Sequence, residues 1–495
     1  MSRRKQDAQP AAQAGDRKAV RVKGEVGVLR SSVDLWESIT HEERREGTYP
    51  HAAKRSKGRG DGSRELPAPN KVRELQIALY RKAKAEPQYR FWSLYGEVQR
   101  KDVLEAAFAA VKENDGAPGV DGQTLASIVE SEGGKHRWLE ELRAELKEKH
   151  YRPEAVLRVW IEKQSGGERP LGIPTVKDRV VQMAVYLVLM PIFEARFHER
   201  SYGFRPKRRA HQAMDAISEG IRSGRVEVLD ADISKCFDCI PHHGLMKAVA
   251  KRVSDGTVLA MIRGWLRAPV VEGGEKGGQI RASKMGTPQG GVLSPLLCNV
   301  YLDPLDQEIN EGNHKRFQMV RYADDFVVLA PAGKGEQARE LIEGWMAKAG
   351  LALNREKTKL VNILREGIRF LGFKVSMRRS MRGRNYAHVE PASQSCASLR
   401  EKVREILNHG TEWKPIAEVV QATNAVVRGW SGYFHYGNSV AVFSKMQHWV
   451  SNRLRRWLWR KHACRRNPHR DYPNELLYDT YGLWHLPSQA AWVKS

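Results

Sequence analysis

The residues best suited to chemistry are acidic and fall in two short β-rich runs. The first is Val228-Leu229-Asp230-Ala231-Asp232-Ile233, which leads into Ser234-Lys235-Cys236-Phe237-Asp238. The second is Val320-Arg321-Tyr322-Ala323-Asp324-Asp325-Phe326-Val327-Val328-Leu329. Apolar runs on both sides of Ala323-Asp324-Asp325-Phe326 predict a hairpin with Asp324 and Asp325 at its tip. Acidic turn residues are common, and a lone Asp-Asp pair would mean little. Here the turn lies against a core, where adjacent carboxylates repel one another and need a counter-ion. Hard carboxylate oxygens suit Mg2+, with Mn2+ as a substitute. If Asp232 on a neighbouring strand joins Asp324, two ions roughly 3.5–4 Å apart can be held. Such a pair activates a hydroxyl and stabilises an in-line phosphoryl-transfer transition state. Asp230 shares the face of Asp232 by alternation.

The elements that must position these groups follow from composition and periodicity. The chain has 495 residues, 83 Lys+Arg against 58 Asp+Glu, and a formal net charge of +25. That excess repels itself unless a polyanion answers it, so nucleic acid is the first partner to expect. No apolar run reaches the roughly 18–20 residues that span a bilayer. The longest, Val180 to Phe193, ends near Pro191 and reads as a buried helix. Membrane association is not expected. The scattered Cys236, Cys239, Cys298, Cys396 and Cys464 fit a reducing cytoplasm, and Cys236-x-x-Cys239 lacks the second pair a zinc site needs.

Residues 1–66 are rich in Arg, Lys, Gly, Ala and Ser and read as a basic, largely disordered arm, with one short helix near Val33–Ile39. The arm is either an electrostatic tether to nucleic acid or a solubilising tail. Helical spacing runs from Asn70 to Lys112 and from Trp138 to Lys149. Val156–Ile161 and Arg169–Ile173 predict a hairpin around Gly166-Gly167, and a long helix starts near Val176. Between Val226 and Val375, β-rich runs alternate with helices, which argues for an α+β domain with an antiparallel sheet. Beyond about Pro391 the pattern is helical.

Tyr322-Ala323-Asp324-Asp325 resembles the reverse-transcriptase motif at the tip of the palm hairpin, and further blocks occur in the matching order. Asp232 to Asp238 resembles the first palm motif. Gly286-Thr287-Pro288-Gln289-Gly290-Gly291-Val292-Leu293-Ser294-Pro295 resembles the motif that contacts template and incoming nucleotide. Leu353-Asn354-Arg355-Glu356-Lys357-Thr358-Lys359 and Phe370-Leu371-Gly372-Phe373 resemble the later palm motifs. Ile161-Glu162-Lys163, Arg169-Pro170-Leu171-Gly172-Ile173-Pro174 and Ser201-Tyr202-Gly203-Phe204-Arg205-Pro206 are similar to the fingers of group II intron-encoded proteins. Glu162 stands where those proteins usually have Pro. Val426-Val427-Arg428-Gly429-Trp430-Ser431-Gly432-Tyr433-Phe434 resembles their maturase signature.

The resemblance implies a right-hand polymerase: arm 1–66, fingers 67–225, palm 226–385 and an all-α thumb or maturase domain 386–495. It implies that Asp232 and Asp324, assisted by Asp325 and the Ile233 carbonyl, hold two Mg2+ ions. Lys163 and Arg169 would hold the triphosphate of a dNTP: two cations on a closing hairpin suit that ligand. Phe237 would exclude a ribose 2′-OH, and Gln289 would line the nucleotide's minor-groove side. Lys357 would protonate leaving pyrophosphate, or is a plain surface lysine.

From Lys445 to Arg470 there are nine Lys/Arg and no acid. Arg453, Arg456 and Arg460 fall on one helical stripe opposite Phe443, Met446, Val450, Leu454 and Leu458. With Arg428 and Lys461, that stripe is the expected RNA-binding face. Trp449, Trp457 and Trp459 either stack on RNA bases or pack in the core.

The expected function is an RNA-directed DNA polymerase and maturase. It would bind a group II intron RNA, assist its splicing, and copy it into cDNA from a primer at a DNA target. The expected setting is bacterial cytoplasm, with no HNH endonuclease domain and priming from nascent strands at replication forks. The alternatives are a splicing-only RNA-binding maturase with an inactive polymerase core, or a domesticated retroelement or CRISPR-linked reverse transcriptase.

Overall fold

A computed structural model describes residues 71–162, 168–272, 280–281, 283–288, 290–312, 316–463 and 467–490. The basic arm with its expected helix, Lys163 and Gln289 lie outside the described residues.

The chain opens with α1 (Lys71–Ala85), α2 (Tyr95–Val98), α3 (Lys101–Asn114), α4 (Leu125–Glu130) and α5 (Gly134–Lys147). Then come β1 (Val156–Glu162), β2 (Glu168–Ile173), α6 (Val176–Glu194), α7 (Ala210–Arg222), β3 (Glu227–Asp232), α8 (Cys236–Cys239) and α9 (His242–Ala250). The middle holds α10 (Gly256–Arg267), β4 (Val270–Glu272), β5 (Ile280–Arg281), α11 (Ser294–Glu311), β6 (Gln318–Tyr322), β7 (Asp325–Ala330) and α12 (Gly335–Lys348). Four strands follow: β8 (Lys359–Asn362), β9 (Ile368–Phe370), β10 (Phe373–Arg379) and β11 (Asn385–Pro391). The end is helical, with α13 (Ser393–Ile406), α14 (Ile416–Phe434), α15 (Val440–Lys461) and α16 (Pro468–Asp471). None of the described helices is long and apolar enough to cross a membrane.

The chain divides into two compact units, and neither is continuous in sequence. Of the described residues, the first joins those up to Ile192 with those of Arg252–Lys284 and Pro288–Ser294. Its sheet has the order β2-β1-β4-β5, with β1 and β4 parallel and the other pairs antiparallel. Asp255 caps α10 through the backbone N–H groups of Thr257 and Val258. Its other oxygen accepts from Leu94 and Tyr95, each at 2.8 Å, which ties the 91–95 segment to that helix start.

Helix α6 runs to Glu194, one residue beyond the expected Phe193, and carries Pro191 inside it. A proline removes one N–H and frees the carbonyl four residues earlier. That carbonyl belongs to Leu187, and the buried Gln76 of α1 donates to it at 2.9 Å.

The second unit contains an antiparallel sheet of order β6-β7-β3-β8 and a three-stranded sheet of order β11-β10-β9. Helix α7 buries Ala213, Met214, Ile217 and Ile221, an i, i+1, i+4, i+8 face, toward the first sheet. One apolar core runs from Val228, Val327 and Leu329 through Phe373 and Phe434 to Phe443, Leu454 and Leu458 of α15. The palm-like sheet and the C-terminal helices therefore share a core.

Candidate active site

The two acidic runs fold onto neighbouring strands. Antiparallel pairing of β3 with β7 puts Asp232 opposite Asp325, and pairing of β6 with β7 puts Tyr322 opposite the same residue. The hairpin loop is thus Ala323-Asp324. Asp324 sits at the tip, whereas Asp325 is the first residue of the returning strand, one step from the expected place. Ala323 has φ +60°, a left-handed conformation that glycine would adopt more readily.

Crowding by the surrounding protein, then the charges of Asp324 and Asp232, push the Asp325 carboxyl up to about 7. Its side chain keeps a solvent-facing side, so the two neighbouring acids are the firmer cause. Burial, then the charge of Asp232, raises Asp230 to about 6. Lys357 answers part of this negative charge. Its Nζ donates to Asp232 Oδ2 at 2.9 Å, and that bond first, with the coulombic pull of the same carboxylate, raises its pKa. Asn354 donates its backbone N–H to the Asp232 carbonyl at 2.8 Å and its side-chain amide to Oδ2 at 3.3 Å. Ile233 is buried and bridges Leu353.

The hairpin is held from beneath by a buried ion pair. Arg321 is fully buried. Its Nε and Nη2 donate to Asp306 of α11 at 2.9 and 2.5 Å, and its Nη1 donates to Asn299 Oδ1 and to the Ala323 carbonyl, each at 2.8 Å. Asn299 in turn donates to the Gly203 carbonyl at 2.9 Å. The 201–205 segment runs against β6, with Ser201 bridging Arg321 and the Tyr202 N–H donating to the Arg321 carbonyl at 2.9 Å. A Cβ on Gly203 would stand 2.2 Å from the Ala323 nitrogen, so this position must be glycine for the backbones to touch. Arg205 fixes the other side of the segment, donating to Glu194 and to the carbonyls of His198 and Ser201.

Sequence reasoning gave no role to Arg321, Asp306 or Asn299. One signal was available: a cation in an otherwise apolar strand has to meet an anion.

Phe237 is half-buried on α8 and meets Phe204 edge-on, with ring centroids 6.3 Å apart. Its carbonyl accepts from the Thr287 N–H at 2.6 Å. Gly286 (φ +83°) packs so closely that a Cβ would meet the Phe237 carbonyl at 2.6 Å. In the first unit, Gly290 (φ +101°) leaves room of the same kind for the Gly172 carbonyl of β2. Arg169 lies half-buried on β2, opposite Ile161.

Asp232, Asp324 and Asp325 lie close enough for like charge to raise Asp325, and mutually repelling carboxylate oxygens are groups that a divalent cation would relieve. Among the described residues no three His, Cys, Asp or Glu side chains are gathered in ligating geometry; the Lys357 ammonium is the cation on Asp232. The residues fit a divalent ion by their chemistry, and Lys357 stands in for its charge.

The five cations expected on RNA differ in their surroundings. Arg456 is exposed and Arg453 half-buried. Arg428 lies over the Trp484 ring at 4.4 Å. Arg460 pairs with Glu412 at 2.7 Å, and Lys461 donates to the carbonyls of Glu412 and Lys414 at 2.7 and 2.9 Å. Both therefore hold the 409–414 segment against α15. Trp457 is fully buried and donates to Thr411 Oγ1 at 3.1 Å, a core role that leaves no face for a base.

Comparison with known proteins agrees with this arrangement. Residues 161–375 match the family model described as reverse transcriptase (RNA-dependent DNA polymerase), and residues 396–472 match the group II intron, maturase-specific domain. Protein YkfC of Escherichia coli is 33% identical over 355 residues, covering 63% of this chain and 90% of that protein. Group II intron-encoded protein LtrA of Lactococcus lactis is 26% identical over 436 residues, 70% of each chain. A 91 kDa protein in the cob intron of Schizosaccharomyces pombe is 26% identical over 367 residues, covering 59% of this chain and 45% of that protein. With the acidic hairpin, the ordered palm motifs and the maturase-domain match all on one chain, it belongs to the group II intron-encoded reverse transcriptase/maturase family, whose members are RNA-directed DNA polymerases.

Proposed function

We propose that this protein binds a group II intron RNA, assists its splicing, and copies it into DNA by adding dNTPs to a primer in a Mg2+-dependent reaction. The pairing of Asp232 with Asp325, beside Asp324 in a turn clamped by Arg321, carries this reading. In it, residues 67–225 act as fingers, 226–385 as palm and 386–495 as thumb, and the basic arm and the thumb hold RNA. Asp232, Asp324 and Asp325, with the Ile233 carbonyl, are the groups that would hold the divalent ions. When bound, such ions lower the pKa of the primer hydroxyl and stabilise the phosphoryl-transfer transition state.

The remaining roles belong to side chains. Lys357, whose Nζ donates to Asp232 in this structure, is the group that would donate a proton to departing pyrophosphate. Phe237, braced by Phe204, presents an aromatic wall to the incoming sugar and rejects a 2′-OH. Lys163 and Arg169 neutralise the triphosphate, and Gln289 lines the nucleotide pocket.

Primer extension on poly(rA)/oligo(dT) with Mg2+ tests the reading. Wild type should extend the primer and Asp324→Asn should not. A wild-type protein that promotes intron splicing but copies no template would replace it with the splicing-only alternative.

A further inference from the structure

With Arg460 and Lys461 engaged internally, another set of cations lies open on the same helices. On α13, Arg400 and Arg404 are one turn apart, and their guanidinium groups lie 6.0 and 5.6 Å from the Trp449 ring of α15. Arg453 follows Trp449 by one turn. Burial, then the charges of Arg460, Arg404 and Arg456, lower its pKa; the charges acting on it are all cationic. Arg400, Arg404, Arg453 and Arg456 form no ion pair among the described residues, and Nε of Arg400 and of Arg453 is buried without a hydrogen-bond partner. Nη2 of Arg460, whose Nε donates to Glu412, is likewise unpartnered.

A buried donor without an acceptor and a group of like charges without a counter-charge are both unfavourable, and one anion relieves both. Guanidinium forks match phosphate oxygens, and an arginine stacked on an indole face arrives with less freedom left to lose. We propose that Arg400, Arg404 and Arg453, arrayed about Trp449, form a cleft across α13 and α15 that grips the phosphodiester backbone of an RNA strand. This rests on the reading of the chain as an RNA-binding maturase and adds residues of α13 that the charge run on α15 does not include. Contacts of this kind hold and orient RNA without reading its sequence.

The test measures binding of a structured RNA hairpin by the full chain at several salt concentrations. Each of Arg400→Gln, Arg404→Gln and Arg453→Gln should weaken binding about tenfold. Each should also reduce the log–log salt slope by about 1. Trp449→Phe should remove the part of the tryptophan fluorescence change that RNA induces in wild type. Thermal unfolding of each variant checks that the fold is kept. Variants that fold and retain the wild-type affinity and slope overturn the cleft. A wild type that binds RNA with no salt dependence overturns the RNA-gripping reading itself and the cleft with it, whereas loss of polymerisation alone by Asp324→Asn leaves both standing.

Discussion

Arg321 and Arg453 bring the same side chain into opposite circumstances within one compact unit. Every guanidinium nitrogen of Arg321 has an acceptor: Asp306 for Nε and Nη2, Asn299 and the Ala323 carbonyl for Nη1. Arg453 has a buried Nε without a partner and only cations acting on it. The first must keep a turn in shape whether or not anything is bound, so its counter-charge is built in. The second sits where the counter-charge would arrive with a ligand. Saturation, more than charge or burial alone, separates an arginine that supports structure from one that awaits a polyanion.

Six substitutions, one of them made only jointly with another, would break or sharpen this contrast. Arg321→Leu strands Asp306 in the core and should lower unfolding free energy by about 3–5 kcal/mol in urea titration. Joint replacement with Asp306→Leu should recover most of that loss, and a single-variant loss under about 1 kcal/mol would remove the supporting role. Gly203→Ala pushes a methyl toward the Ala323 nitrogen and should slow primer extension about 100-fold through displacement of the hairpin. An unchanged rate would show that the close approach does not set the turn.

Asp303 lies in the same buried region, and burial, then the charge of Asp306, raises its carboxyl to about 6. A raised carboxyl favours folding while protonated, and the folded state loses that advantage as pH climbs from about 4 through 6. Asp303→Asn should therefore gain about 2 kcal/mol relative to wild type at pH 8 and nothing below pH 4. Denaturation at both pH values checks the sign. Ala323→Gly relieves a left-handed alanine and should stabilise by at most about 1 kcal/mol. Arg453→Gln should change stability by no more than about 0.5 kcal/mol, since it breaks no internal bond. A loss comparable with that of Arg321→Leu would erase the distinction.

The palm hairpin could be read from the sequence because Val, Leu and Phe surround the acidic pair. The loop residue could not, because Ala323-Asp324 lacks the Asn-Gly or Gly signal that marks a two-residue turn. Asp325 therefore lies in the strand and not at the tip. Helix α6 was expected as far as Phe193, but not the partner of the carbonyl that Pro191 frees: Gln76, 111 residues away in the chain, is one no local pattern contains. Arg460 and Lys461 fell on an outward-looking stripe, yet Glu412 and the 412–414 carbonyls reach across to them. Periodicity reports which way a side chain leaves its helix, not what meets it. The carboxylates were readable because their cost had no structural return; Arg321 and Asp306 were harder because each solves the other's problem.

The parallel pairing of β1 with β4 joins residues 156–158 to 270–272, while the intervening chain lends Phe193–Lys251 to the other unit. A chimaera made from two relatives by one crossover between residues 193 and 251 would inherit those strands from different parents, and their ladder would have to be compatible by chance. Three crossovers, near residues 192, 252 and 294, would keep each sheet's strands from a single parent. Engineering of hybrid enzymes on this scaffold should place its joints accordingly.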